Sequence, residues 1–454
     1  MSAISTGAVP YTPESFRPLL KRLVETPEYF TSSDLVHALN HLFTPNTLQP
    51  EQIGSFLTAL HIHRVERRPE SLAAAAQVLR ERSLKAQIDG MEGDFVVDIV
   101  GTGGDGHNLF NVSTTAAIVA AGAGARVIKH GSRASTSSSG SADLLQALGC
   151  IFVAPPPIPN DIPKIYTNPT LNSPNPTPGA TPPDSPTTTT ATSSAPAKKP
   201  KYTPIPNIPF TFILAPHYHP SLSFLAPFRR ALPFRTMFNI LGPLINPARP
   251  RGMVLGIAEP ELGWTFAKSL LEGGVERALV VCGEERMDEV SCAGPTLVWS
   301  LGLDLEEVLS DVKDDEWPST ASGGGMVEEG EGGKVIKMRI TPAMFGLPSH
   351  PLISVAGGSP VDNAKTFKDM LDPSDVAGSS SWHSSGEKAP AKLEPVLHFT
   401  LMNASALLVV AGVAKTFKEG VRLAEESVRT GKAWEAFGKF RDVGVKKAND
   451  GEGV

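Results

Sequence analysis

Cysteine is almost absent from this chain: Cys150, Cys282 and Cys292 are the only three in 454 residues. An odd, sparse set with no CxxC spacing excludes a disulfide framework and reads as free thiols in a reducing compartment. Cys282 lies in the apolar run ALVVCG and reads as core, not as a nucleophile. There is no basic excess either. The net charge of −6 argues against a nucleic-acid binder, which would carry a basic stripe. It leaves an anionic ligand open, because local main-chain donors and a metal can outweigh global charge. No apolar run approaches the roughly 20 residues of a spanning helix. The opening MSAISTGAVPYTPES lacks a basic start followed by an apolar stretch. No membrane span and no secretory signal are expected, and the cytoplasm is the expected location.

What is present alternates in type along the chain. Residues 12 to about 85 read as helices. Thr12 followed by Pro13 is a helix start. Apolar stripes follow at Phe16–Leu19–Leu20–Leu23, Leu35–Leu39–Leu42, Ile53–Phe56–Leu57–Leu60 and Leu72–Ala76–Leu79. From Phe95 the pattern changes to short apolar runs ending near glycine: FVVDIV, ARVIK, MVLGIA and ALVVCG. Helical segments separate them, so the expected fold class is α/β. A small helical N-terminal domain (1–90, completed by helices from about 212–235) precedes a large domain (91–454) with a mostly parallel central sheet. Residues 155–209 hold 17 of the 41 prolines. A disordered insertion is expected over about 165–203, with two further low-complexity insertions over 323–333 and 378–392.

The stretch DIVGTGGDGHNLFNVSTTAAIVAAGAGARVIKHGSRASTSSSGSADLLQALG carries the chemistry. Gly101, Gly103 and Gly104 follow a strand directly, and without side chains they let backbone N–H groups approach an anion. Alone, GTGGD reads equally as a structural turn. Asn111, Ser113 and Thr114 open the next helix, whose N-terminus offers unpaired N–H donors and about half a positive charge. Ser113 could also be a simple cap. Lys129 and His130 end the following strand, where a lysine suits a phosphate. The serine run 135–139 adds donors, or is only a polar loop. Asp288 and Glu289 in MDEVS follow the strand ALVVCG. Adjacent carboxylates suit a shared Mg²⁺, or form a solvated pair.

Six motifs in order extend this pattern: GTGGD (101–105), NVST (111–114), KHGSRASTSSSGSAD (129–143), FILAPHYHPSL (212–222), FNILGPLINPARP (238–250) and MDEVS (287–291). Together they resemble the anthranilate phosphoribosyltransferase family, of the nucleoside-phosphorylase-like transferases, over nearly the whole chain outside the low-complexity stretches. The resemblance implies that Gly101, Gly104 and Asp105 line a diphosphate site for 5-phosphoribosyl 1-diphosphate (PRPP). It places Asn111, Val112, Ser113, Thr114 and Lys129 on the same ligand. The loop His130, Gly131, Ser132, Arg133, Ala134, Ser135, Thr136, Ser137 and then Ser141 would complete that site. Ser113, Asp288 and Glu289 would ligate two Mg²⁺ ions, and Lys129, Asp288 and Glu289 would be the catalytic groups. Gly101, His130, Ser132, Arg229, Gly242 and Pro243 would border anthranilate, with Arg229 on its carboxylate. Two positions depart from the family: Ser132 stands where asparagine is usual, and Leu109 where a hydroxyl residue is common. A homodimer through the helical domain is also implied.

The reaction so implied joins the anthranilate amine to the ribose anomeric carbon and expels pyrophosphate. Cationic and main-chain donors would stabilise the departing diphosphate. No covalent intermediate is needed, and no nucleophile elbow is apparent. Two other readings share the architecture. A pyrimidine-nucleoside phosphorylase fits the KHGSRAS and MDEVS segments poorly. A non-catalytic nucleic-acid-binding homologue should be basic and should lack the carboxylate pair.

Overall fold

The computed structural model describes residues 11–84, 86, 93–134, 137–155, 206–316, 327–329, 334–374 and 388–450. The expected insertion 165–203 lies outside them, as does 378–387 of the third low-complexity stretch. Four helices open the chain: α1 (Pro13–Glu25), α2 (Ser32–Leu42), α3 (Pro50–Ile62) and α4 (Pro69–Glu81), one for each apolar stripe. Their starts are written locally. The Thr12 hydroxyl accepts from the Ser15 N–H and Thr31 from the Asp34 N–H, and both form capping boxes. Proline occupies the first turn of α1, α3 and α4, where its missing N–H costs nothing.

The remainder is built on an eight-stranded sheet. Its strands are β1 (Val96–Gly101), β2 (Arg126–Gly131), β3 (Phe210–Leu214), β4 (Gly252–Gly256), β5 (Arg277–Gly283), β6 (Thr296–Leu301), β7 (Val327–Glu329) and β8 (Val335–Ile340). The order is β3-β2-β1-β4-β5-β6-β8-β7. The first five run parallel and the last three antiparallel. The four expected strands are β1, β2, β4 and β5. Two expectations change. The segment expected to start helical at 212 begins as the end of β3, because FTFIL is aromatic and β-branched; helix follows only at Ala215–Tyr218 and Pro220–Ala231. Within the stretch 323–333, Val327–Glu329 is a strand on the sheet edge, paired with β8.

The sheet is buried on both faces, which explains its near-continuous apolar strands. In β5, Leu279 and Val281 face one core, with α5 (Val112–Gly122), α6 (Ser141–Ala147) and the C-terminal helices. Ala278, Val280 and Cys282 face the other, with α1–α4 and the helix Gly263–Glu272. The small helical unit therefore shares a continuous core with one face of the sheet. All three cysteines are buried and free, and burial pushes each thiol up to about 12.

Helix Glu394–Ala411 differs from the expectation that no segment resembles a spanning helix. It is long and apolar enough by length and composition, but 78% of it is buried inside the protein. A helix in the middle of a core is apolar all round. Its one central amide is informative. Asn403 Oδ1 accepts from the Val290 N–H at 3.0 Å, and Nδ2 donates to the Val290 and Phe399 carbonyls at 3.1 and 3.0 Å. This bracket fixes the loop carrying Asp288 and Glu289. Replacing Asn403 with alanine orphans two buried backbone groups and should cost roughly 2 kcal/mol or more of unfolding free energy. Urea denaturation checks this; a midpoint equal to wild type would contradict the bracket.

Candidate functional site

A cavity of about 210 Å³ opens beyond the C-terminal ends of β1 and β2, the usual ligand position in an open α/β sheet. Its wall combines the glycine turn, the start of α5, the end of β2, the serine loop and the MDEVS loop. Four glycines are required there. A Cβ on Gly101 would overlap the Asp288 carboxylate, and one on Gly256 would overlap the Asp288 carbonyl. Gly103 and Gly104 hold φ of +66° and +77°, conformations that other residues rarely take. The reward for this closeness is a hydrogen bond from the Gly103 N–H to Asp288 Oδ2 at 2.6 Å.

Asp288 and Glu289 lie side by side, half-buried, in the cavity wall. Burial, and then Asp105, push Asp288 up to about 7; burial, and then Asp288, raise Glu289 well above the usual carboxylate range. Ser113 lies in the first turn of α5 and hydrogen-bonds Glu289. The cap position belongs to Asn111, whose side chain instead braces the serine loop, donating to Ser139 O at 2.8 Å and accepting from Asn363 at 2.9 Å. Hard oxygen donors of this kind fit Mg²⁺. Among the described residues no three His, Cys, Asp or Glu side chains converge as a protein-only metal site. The fit is to a Mg²⁺ that takes one or two carboxylates and completes its shell with phosphate oxygens and water.

Lys129 sits lower than a strand-end lysine suggests. It is 1% exposed, and its ammonium donates to the Ile99 carbonyl and, at 3.4 Å, to Ser113 Oγ. Burial lowers its pKa, against the pull of Asp98, Glu289 and Asp288. Asp98 is its buried counter-charge, itself raised to about 6 by burial. Asp98 Oδ2 also accepts from Asn246 Nδ2 at 2.9 Å and from the His130 N–H at 3.3 Å. His130 Nδ1 meets the Gly242 carbonyl at 3.2 Å, which makes that nitrogen the donor. Its Nε2 then accepts from His219 Nε2 at 3.2 Å. Burial pushes His130 down to about 3 and His219 to about 4, so both are neutral at pH 7.

The remaining expected residues divide. Gly101, Gly104, Asp105, Asn111, Val112, Ser113, Lys129, His130, Gly131, Ser132, Ser137, Ser141, Asp288 and Glu289 line the cavity, as does Leu109. Thr114 does not; it is wholly buried. Arg133 turns to Asp143 and Gln146 at 3.2 and 2.7 Å, and the Ala134 N–H also binds Asp143. Ser135 and Thr136 lie outside the described residues. Gly242 reaches the site through His130, whereas Pro243 borders a different cavity, between α4 and the helix Gly263–Glu272. Arg229 is half-buried with an unpartnered Nε, and burial, and then neighbouring Arg235, lower its pKa. Sequence reasoning missed Asp98, Asn246, His107 and Arg235. An aspartate inside the apolar run FVVDIV was the available signal for the first. His107 lines the cavity, with its Nε2 2.9 Å from the Glu285 carbonyl.

The helical bundle domain of a glycosyl transferase family matches residues 17–83. The "Glycosyl transferase family, a/b domain" matches 93–157, 202–316 and 310–434. The anthranilate phosphoribosyltransferase of Schizosaccharomyces pombe is 36% identical over 394 residues, 87% of each chain. The chain belongs to the anthranilate phosphoribosyltransferase family. A Polynucleobacter necessarius member is 32% identical over 93% of this chain and 96% of its own. Among solved structures, the Saccharomyces cerevisiae enzyme in complex with PRPP and Mg superposes with a TM-score of 0.69 at 27% identity, covering 96% of this chain and 99% of that one. The architecture of this family, a helical N-terminal domain on a mostly parallel α/β domain, is the one described above.

Asp288 is an acid whose folded pKa lies above its unfolded value near 3.8. The folded form therefore holds the proton more tightly, and stability is lost as pH rises from about 4 to about 7. In metal-free buffer at pH 8, Asp288→Asn should melt higher than wild type, with the gap closing toward pH 4. Calorimetry across that range checks the sign; a variant that melts lower at pH 8 contradicts it.

Proposed function

We propose that this chain transfers the 5-phosphoribosyl group of PRPP to the amine of anthranilate, giving N-(5-phosphoribosyl)anthranilate and pyrophosphate in tryptophan biosynthesis. The observation that carries this reading is one cavity in which bare glycine main chain, the start of α5 and the Asp288–Glu289 pair face each other, in a chain of this family. A diphosphate fits such a wall because N–H donors and the helix dipole favour it. Ser113, Asp288 and Glu289 are the side chains that would hold Mg²⁺, as two ions. When bound, Mg²⁺ would offset the negative charge that collects on the departing diphosphate.

The chain's own groups account for the rest. The bond from the anomeric carbon to the diphosphate oxygen breaks as the amine nitrogen bonds to that carbon, and the amine's spare proton leaves to the departing pyrophosphate or to water. Main-chain N–H groups are fixed before reaction and need not reorganise. Lys129, in the cavity wall, adds positive charge beside the hydroxyl of Ser113. His130 is neutral with both ring nitrogens engaged, so it forms a wall and does not act as a base. None is required, because an arylamine is nucleophilic when neutral. The half-buried guanidinium of Arg229 suits the anthranilate carboxylate, which a guanidinium can grip with two donors. Asn111, Ser137, Ser141 and the backbone of 130–132 supply polar surface for the ribose and its phosphate.

We further infer a homodimer joined through the helical domain. Among the described residues, four of seven exposed large hydrophobic side chains (Tyr11, Val24, Tyr29 and Ile62) lie on that unit. The three free thiols suit the cytoplasm.

Loss of anthranilate fluorescence, with PRPP and Mg²⁺ added and each omitted in turn, tests the reaction. No consumption in the complete mixture would refute it. Replacing both Asp288 and Glu289 with alanine should lower kcat at least ~10²-fold, the scale of a lost electrostatic stabiliser; near-normal turnover would remove their role. Arg229→Ala should raise the KM for anthranilate far more than that for PRPP, and equal effects would count against the assignment.

A further inference from the structure

The glycine turn leaves one question open: what fixes its peptide planes. Gly103 and Gly104 both sit at positive φ, and a glycine pair has many alternatives to that state. Asp288 holds the turn on one side through the Gly103 N–H. On the other side Arg235 Nη1 donates to the Gly103 carbonyl at 3.0 Å and Nη2 to the Thr102 carbonyl at 3.2 Å. In a trans peptide the C=O and N–H point opposite ways. Drawing the Thr102 carbonyl toward Arg235 turns the Gly103 N–H to Asp288. Drawing the Gly103 carbonyl the same way leaves the Gly104 N–H on the far side from the guanidinium.

Arg235 is itself held by its neighbours. The Thr236 N–H donates to Asn239 Oδ1 at 3.0 Å. The Met237 N–H donates to Glu66 Oε2 at 2.8 Å, and Glu66 Oε1 meets His61 Nδ1 at 2.8 Å. The His61 ring stacks on Phe234 at 4.3 Å. Glu66 is 4% exposed and Met237 fully buried, whereas the Arg235 side chain is exposed. An exposed guanidinium spread over two carbonyls adds little to folding, so its placement serves the turn.

We propose that Arg235 is a positioning residue that sets the peptide planes of the diphosphate-binding turn, and that Glu66 and His61 of the helical domain act through it. This rests on the reading of the cavity as the PRPP site. Arg235 has its donors committed to main chain, unlike Arg229, so the two arginines should separate kinetically.

The test is steady-state kinetics of the full chain with PRPP, Mg²⁺ and anthranilate. Arg235→Ala should raise the KM for PRPP roughly tenfold or more, the scale of losing charged hydrogen bonds. The KM for anthranilate and the melting temperature should stay near wild type. Arg235→Lys should restore binding only in part, because an ammonium lacks the fork that spans two carbonyls. Glu66→Ala should show the same split, and the double variant should be no worse than Arg235→Ala, since both act on one element. If Glu66→Ala does not fold, the Arg235 variants decide the matter alone. An unchanged KM for PRPP, a larger effect on anthranilate, or full rescue by lysine would overturn the proposal. A wild-type protein that consumes no anthranilate would instead remove the reading beneath it.

Discussion

The hydrogen bond from the Gly103 N–H to the Asp288 carboxylate joins the two halves of the site. One partner lies in the turn after β1, and the other lies 185 residues further on, beyond β5. The approach is possible only because Gly101 and Gly256, paired in register on β1 and β4, present no Cβ to Asp288. Behind it, Asn403 brackets Val290, so the loop cannot relax away from the turn. The arrangement holds two half-buried carboxylates where their ionisation is opposed by desolvation and by nearby acid groups. That opposition is the cost of a wall suited to a cation and a polyphosphate, and the folded core offsets it.

Behind the cavity wall lies a second layer of charge. Asp98, Lys129, His130, His219 and Asn246 form one buried network, of which Lys129 and His130 also line the cavity. A buried lysine without a carboxylate neighbour would shed its proton. Asp98 opposes the lowering of the Lys129 pKa by burial while aligning the main chain of His130 and the side chain of Asn246. The same network ties β1 and β2 to the turn that carries Gly242. Binding surface and support are therefore mechanically continuous, and the neutral histidines add no charge that would compete with Lys129.

The helical unit, β1, β2, β4 and β5 were legible because each depends on local signals: capping residues, apolar stripes, and buried parallel strands followed by glycine. The antiparallel strand β8 was less visible, since Lys337 and Arg339 alternate with apolar residues through VIKMRI. The three-residue strand β7 inside a glycine- and glutamate-rich stretch gave no periodic signal at all. In the site, the glycine turn, Ser113, His130 and the carboxylate pair could be read as a set. The depth of Lys129, the turning away of Arg133 and the burial of Thr114 could not, because residues adjacent in a motif need not share a face.

The order of residues alone determined the class of fold, the glycine turn and the donor types around it, since those follow from backbone freedom and side-chain chemistry at short range. Family membership was already written in the six motifs. Only the tertiary structure decided which donors meet, that Arg235 spans two carbonyls on the turn, and that Asp98 partners Lys129. Those pairings join segments from 31 to 133 residues apart, and no local rule of propensity or spacing can specify contacts that arise from how strands stack in a sheet.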